Sequence, residues 1–96
     1  MTAYSDRTLK KNVETISNAL AKVQAMRGVY FEMINTGDRN IGVIAQEVQA
    51  VLPEVVRDNN GVLSVAYGNL TGLLIEAVKE LSEKLAKLEA KDPSQS

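Results

Sequence analysis

Apolar residues in the first third of the chain recur at helical spacing, with Val13, Ile16, Leu20 and Val23 stepping by three and four. Asn12 in front of them is a suitable N-cap and Gly28 behind them a C-terminal stop, so residues 13–26 are expected to form an amphipathic helix. The preceding eleven residues are polar or charged without a period and read as an extended lead followed by a turn. After Gly28, the run VYFEMI over residues 29–34 is β-prone and is closed by the turn formers Asn35, Thr36, Gly37 and Asp38. Ile41-Gly42-Val43-Ile44 then leads into a short helix in which Ile44, Val48, Val51 and Leu52 share a face and which Pro53 ends. Val55-Val56-Arg57 and Val62-Leu63-Ser64-Val65 flank Asp58-Asn59-Asn60-Gly61, the pattern of a β-hairpin.

The last third is different. From Tyr67 to about Ala90 there is no proline, and most residues are strong helix formers. Tyr67, Thr71, Leu74, Val78, Leu81, Leu85 and Leu88 alternate steps of four and three, which is a heptad seam. At ~1.5 Å per residue such a helix is roughly 36 Å long, against a diameter near 32 Å for a compact chain of this size. It must protrude or pack against copies of itself. The seam, Leu74, Val78, Leu81, Leu85 and Leu88, therefore points to self-association, although Thr, Val and Leu at its a positions do not select between two and three strands. The expected class is α+β: an amphipathic N-terminal helix, short strands with a β-hairpin, and a long C-terminal helix in a coiled-coil-like bundle.

Length adds weight to the same reading. Ninety-six residues with only Tyr4, Tyr30, Phe31 and Tyr67 as aromatics make one small soluble domain with a thin core, for which oligomerisation is a remedy. Eleven Lys and Arg against twelve Asp and Glu leave a net charge of −1, which offers no electrostatic footprint for nucleic acid or an anionic membrane. No apolar run reaches the length of a membrane span, and the first ten residues have no signal-peptide core.

Cysteine and histidine are both absent, which removes thiolate chemistry, disulfides, Ser/His/Asp triads and Cys/His zinc sites. The carboxylates Glu14, Glu32, Asp38, Glu47, Glu54 and Asp58 are scattered over separate elements, and no calcium loop or phosphate-binding glycine loop is present, so no metal or other cofactor is expected. Ser5 and Lys10 remain. Without histidine, a neutral lysine is one of the few groups able to take a serine proton. A lysine with the reference pKa near 10.4 is neutral in only about one molecule in 2,500 at pH 7. Such a base needs burial or neighbouring positive charge, and Arg7 and Lys11 are close in sequence. On an α-helix a spacing of five would hold the two side chains about 140° apart, so a Ser5/Lys10 pair requires a turn. Spacing alone also fits a plainer arrangement in which Ser5 or Asp6 caps a first turn and Lys10 lies in solvent.

The stretch SDRTLKKNV over residues 5–13 resembles the opening signature of the intramolecular chaperone domains at the C-termini of phage tail fibres, tail spikes and endosialidases, the peptidase S74 family. IGVIAQEVQAVLPEVV over residues 41–56 is similar to the family's central block. SVAYGNLTGLLIEA over residues 64–77 is similar to its strand-to-helix block, more loosely at Ala66 and Gly68. The likeness runs in order from Ser5 to about Leu88. It implies a domain that forms a homotrimer, assists folding of an upstream fibre or spike in cis, and cuts itself free before the motif serine.

On this chain the resemblance makes Tyr4-Ser5 the cleaved bond, Ser5 the nucleophile and Lys10 the general base, with Lys11 a second candidate by proximity. Residues 1–4 then read as a stub of the passenger, 5–91 as the chaperone domain with its trimerisation helix over about 67–90, and 92–96 as a disordered tail. The implied location is a virion tail-fibre precursor assembled in the bacterial host cytoplasm. The alternative from another class is a structural trimerisation cap that does not cleave.

Overall fold

The computed structural model describes residues 2–91. The expected tail at 92–96 and Met1 of the stub lie outside the described residues. Three α-helices and two antiparallel hairpins make an α+β fold: α1 (Ala19–Gln24), β1 (Val29–Glu32), β2 (Arg39–Gly42), α2 (Ala45–Gln49), β3 (Val56–Asn59), β4 (Val62–Val65) and α3 (Tyr67–Lys91). Two short 3-10 turns are added at Arg7–Leu9 and Pro53–Val55.

The N-terminal helix is shorter than its apolar spacing suggests, and the correction has a local cause. Residues 13–17, Val-Glu-Thr-Ile-Ser, are mostly β-branched or hydroxylated and favour extended backbone. Asn12 and Asn18 both take positive φ, 54° each, so Asn12 bends an extended strap and Asn18 becomes the residue that starts α1. Val13 is largely exposed, whereas Ile16 packs on the core from extended backbone. At the other end the helix closes at Ala25, whose N–H returns to Ala21 O and Lys22 O, before Gly28 is reached.

The apolar run at 29–34 is a strand as expected over Val29–Glu32, but its partner is Arg39–Gly42, of which only Ile41 and Gly42 belong to the segment expected to lead into a helix. Tyr30 pairs with Ile41 and Glu32 with Arg39, and the loop closes with Met33 N–H on Asp38 O and Gly37 N–H on Met33 O. Gly37 has φ 73°, which a side chain would resist. The second hairpin follows its sequence signal closely. Asn60 and Gly61 have φ of 55° and 88°, the paired positive values of a type I′ turn, and Asp58 Oδ1 accepts from Gly61 N–H at 2.7 Å.

The core is small. Ala19, Leu73 and Ala77 are buried together, with Ile16, Leu20, Val23, Met26, Leu52 and Leu70 packed around them, so α1 and the first half of α3 form the centre. α2 is fixed to the segment that follows α1 by a bidentate pair in which Arg27 Nε and Nη2 donate to Glu47 at 2.9 and 3.0 Å. The hydrogen bonds hold the Glu47 carboxyl below its usual range. Tyr67, opening α3, accepts from Val43 N–H at 3.3 Å, and a Cβ on Gly42 would approach the Tyr67 hydroxyl to 2.5 Å. The first hairpin and the long helix thus meet where only glycine fits without displacing Tyr67.

Asn18 makes no side-chain cap, because its left-handed backbone turns the side chain away from the orphan N–H groups of α1. A residue far along the chain replaces it. Glu80 of α3 accepts from Ala19 N–H at 2.8 Å through Oε2 and from Leu20 N–H at 3.1 Å through Oε1. The Leu20 and Ala19 bonds pull the Glu80 carboxyl below the ordinary glutamate range, with Lys84 and Lys22 adding smaller charge effects. A depressed folded value means that this contribution is complete above the unfolded pKa and is lost as pH falls through the folded one. Glu80→Ala is expected to lower the melting temperature at pH 7 and to speed amide exchange at Ala19 and Leu20 several-fold. The difference from the wild type should shrink as pH falls below about 4.

α3 carries two apolar stripes. Leu70, Leu73 and Ala77 face α1, while Leu74, Val78, Leu81, Leu85 and Leu88 centre about 70° around the helix at 100° per residue. This second stripe is 47% to 65% exposed, and every residue of α3 from Leu81 to Lys91 faces solvent. The chain extends 57 × 39 × 25 Å with a radius of gyration of 17.5 Å, against about 12.5 Å for a compact domain of this length. Its accessible surface is 8234 Å², whereas a globular monomer of this mass exposes about 5,400 Å².

Candidate functional site

Asp6 opens the short turn that follows Ser5. Its backbone is extended (φ −62°, ψ 138°), and its Oδ1 accepts from Thr8 N–H and from Thr8 Oγ1–H, both at 2.8 Å. These two bonds draw the Asp6 carboxyl below its usual value, the backbone one more strongly. Leu9 N–H then donates to Asp6 O at 3.1 Å and Lys10 N–H to Arg7 O at 3.0 Å, completing one 3-10 turn over Arg7–Leu9. Lys10 leaves the turn in extended conformation (φ −125°, ψ 149°).

That single turn reverses the chain far enough for the Lys10 side chain to reach back over five residues. Its Nζ donates to Ser5 Oγ at 2.8 Å and to the Ser5 carbonyl oxygen at 3.0 Å. Ser5 and Lys10 are therefore together, by the turn that their spacing requires. The plainer arrangement is present in part: Asp6 caps the turn, and Lys10, although exposed, is hydrogen-bonded to Ser5. Lys11 makes no hydrogen bond to Ser5. Tyr4, on the other side of the Tyr4-Ser5 peptide, is 96% exposed.

The surroundings of the pair are open. Ser5, Lys10 and the rest of residues 2–15 face solvent, and the strap first meets the core at Ile16. Two clefts lie elsewhere. One of about 290 Å³ is apolar and runs between α1 and α3, touching Val23, Met26, Leu70, Leu73 and Leu74. The other, about 340 Å³, separates Glu14–Ser17 of the strap from Leu52, Glu54, Val55 and Asn69. Ser5 and Lys10 line neither. Among the described residues no group of acidic side chains is arranged to hold a metal ion, and no helix is long and apolar enough to cross a membrane.

At 2.8 Å, Nζ is within proton-transfer reach of Oγ, and in the neutral amine its lone pair is able to take the serine proton. The geometry thus joins a hydroxyl to an amine beside the Tyr4-Ser5 peptide. Sequence reading identified Ser5 and Lys10 but not Thr8. The Asp-x-Thr spacing, in which an aspartate oxygen binds donors two residues on, was the available signal. Glu80 had no local signal, since its partners are about sixty positions away.

The family model described as chaperone of endosialidase, peptidase S74, matches residues 5–57, more than half of the chain, and begins at Ser5. Among curated proteins, the long tail fiber protein Gp37 of Enterobacteria phage K3 is 38% identical over 97 residues, covering 91% of this chain and 8% of that protein. Gp37 of Enterobacteria phage T2 is likewise 38% identical, with 91% of this chain and 7% of the relative covered. Gp37 of Enterobacteria phage M1 is 32% identical over 95 residues, covering 88% of this chain and 38% of the relative. The chain thus spans less than a tenth of the K3 and T2 proteins. With the signature serine at the start of the match and both hairpins, in whole or in part, inside it, the chain belongs to the chaperone of endosialidase family, peptidase S74.

Proposed function

We propose that this domain is an intramolecular chaperone of a phage tail fibre: it forms a homotrimer through α3, helps an upstream fibre passenger fold as a trimer, and releases itself at Tyr4-Ser5. Its place is then a tail-fibre precursor of the virion, assembled in the host cytoplasm, with residues 5–91 as the chaperone and the residues before Ser5 belonging to the passenger. The observation that carries release is the 2.8 Å approach of Lys10 Nζ to Ser5 Oγ beside an exposed peptide bond.

The step balances within the chain. Lys10, as the neutral amine, takes the Ser5 hydroxyl proton while Oγ attacks the Tyr4 carbonyl carbon through a five-membered ring. The Tyr4 C–N bond breaks, Lys10 returns the proton to the departing Ser5 nitrogen, and an ester joins Tyr4 to Oγ. Water hydrolyses that ester, leaving a carboxylate on Tyr4 and a free hydroxyl on Ser5.

Trimerisation is supported by the uncovered stripe and by surface. The excess over a compact monomer is about 2,800 Å² per chain, beyond the roughly 800 Å² that a standard interface takes from each partner. Closing three α3 helices on the Leu74–Leu88 stripe covers five exposed apolar side chains in each chain.

Intact-mass analysis tests release. Wild type is expected to lose everything before Ser5, while Ser5→Ala and Lys10→Ala keep full mass. Identical uncut masses for all three would leave the structural trimerisation cap as the function.

A further inference from the structure

Lys10 has a long, flexible side chain, and nothing in residues 2–15 is buried, so no packing selects the rotamer that reaches Ser5. What restricts it is the backbone between the two residues. Asp6 Oδ1 receives both the N–H and the hydroxyl of Thr8, and this two-point cap closes the turn that returns Lys10 to Ser5.

We propose that Asp6, with Thr8, is the positioning pair of the cleavage reaction: the Asp6 carboxylate sets the 3-10 turn and thereby holds Lys10 Nζ on Ser5 Oγ. This rests on the Ser5/Lys10 release described above and adds to it the device that assembles the dyad within one chain. Asp6 touches neither Nζ nor Oγ, so its action is conformational. Free of the cap, Asp6–Lys10 samples the many backbone states open to an exposed loop, and the fraction of chains with amine and hydroxyl in contact falls. The lowered carboxyl of Asp6 accords with this, since its charged form is the better acceptor for the two Thr8 donors.

The conservative replacements separate the cap from charge. Asp6→Asn keeps an Oδ1 that can accept from Thr8, Asp6→Ala keeps no acceptor, and Thr8→Val keeps the N–H bond but not the hydroxyl one. In the full chain with its passenger, the first-order cleavage rate from intact mass is expected to fall at least tenfold in Asp6→Ala. It should fall by an intermediate amount in Thr8→Val and stay within about threefold of wild type in Asp6→Asn, with the oligomer mass by light scattering unchanged in all three. A wild-type rate in Asp6→Ala, or an Asp6→Asn rate as low as Asp6→Ala, overturns the cap as the positioning device.

A second readout does not depend on cutting. In a Ser5→Ala background, where Lys10 retains its bond to the residue 5 carbonyl, the Lys10 ε-methylene NMR signals are expected to move to those of a free lysine when Asp6→Ala is added. Unmoved signals overturn the positioning role. If the wild type stays uncut while these signals move, the release reaction is what fails, and the cap remains as the device that holds Lys10 on residue 5.

Discussion

Chains carrying Leu81→Asp together with Leu85→Asp are expected to stay monomeric and to leave Tyr4-Ser5 uncut, although Ser5, Lys10 and the turn between them are untouched. Both leucines lie in the exposed half of α3, away from the face that packs on α1, so the single-chain fold should persist. In the proposed trimer each would contribute about 1.5–3 kcal/mol of burial when fully covered, and the change is felt once in every chain. Replacing them adds carboxylates that would have to be desolvated next to one another. Cleavage falls with assembly because the dyad is fully exposed in one chain. Water there favours ammonium over amine and competes for the developing oxyanion, and a neighbouring chain is the nearest source of the burial that reverses both. Light scattering and intact mass on one sample decide the matter. Efficient cutting by a proven monomer would refute the coupling.

Lys10→Arg is expected to be as inactive as Lys10→Ala, with a loss of at least about 10²-fold, the lower limit for a general base. Arginine keeps the positive charge and can donate to both the hydroxyl and the carbonyl that lysine contacts now. It cannot release a proton at any pH at which the protein is folded. If Lys10 acts only as a hydrogen-bond donor, polarising a carbonyl or steadying an oxyanion, arginine would preserve much of the rate. If Lys10 is the base, wild-type cleavage should also rise with pH until the amine is fully neutral. Single-turnover rates between pH 6 and pH 10 on both proteins separate the two roles, and substantial activity in Lys10→Arg would remove the base assignment.

The parts of this fold that were legible in the sequence are those whose signals are local. Asn60-Gly61 between alternating apolar residues fixes a hairpin because two positive φ values are needed and those residues supply them. The helix α3 is legible because most of its twenty-five residues are strong helix formers. At residues 13–18 the helical spacing of Val13 and Ile16 competes with a β-branched run, and the run decides the backbone. Ile16 reaches the core from a strap, where the period has no meaning. The strand Arg39–Gly42 was hidden by its composition, since Arg and Asn carry little β preference and its apolar end merges with the run that starts α2. At the candidate site, residue types and spacing named Ser5 and Lys10, but the geometry rests on a cap whose second partner, Thr8, looks ordinary in sequence.

The cap that Glu80 places on α1 has a consequence in time. α1 is six residues long, too short to persist alone, and it has no capping side chain of its own. Its acceptor is made about sixty residues later, which at about 5–20 residues per second takes a ribosome roughly 3–12 s. During synthesis the strap that carries Ser5 and Lys10 is therefore without its anchor until the long helix is being completed. On the proposed function, a passenger preceding Ser5 has that interval to begin folding before α1 behind it is capped.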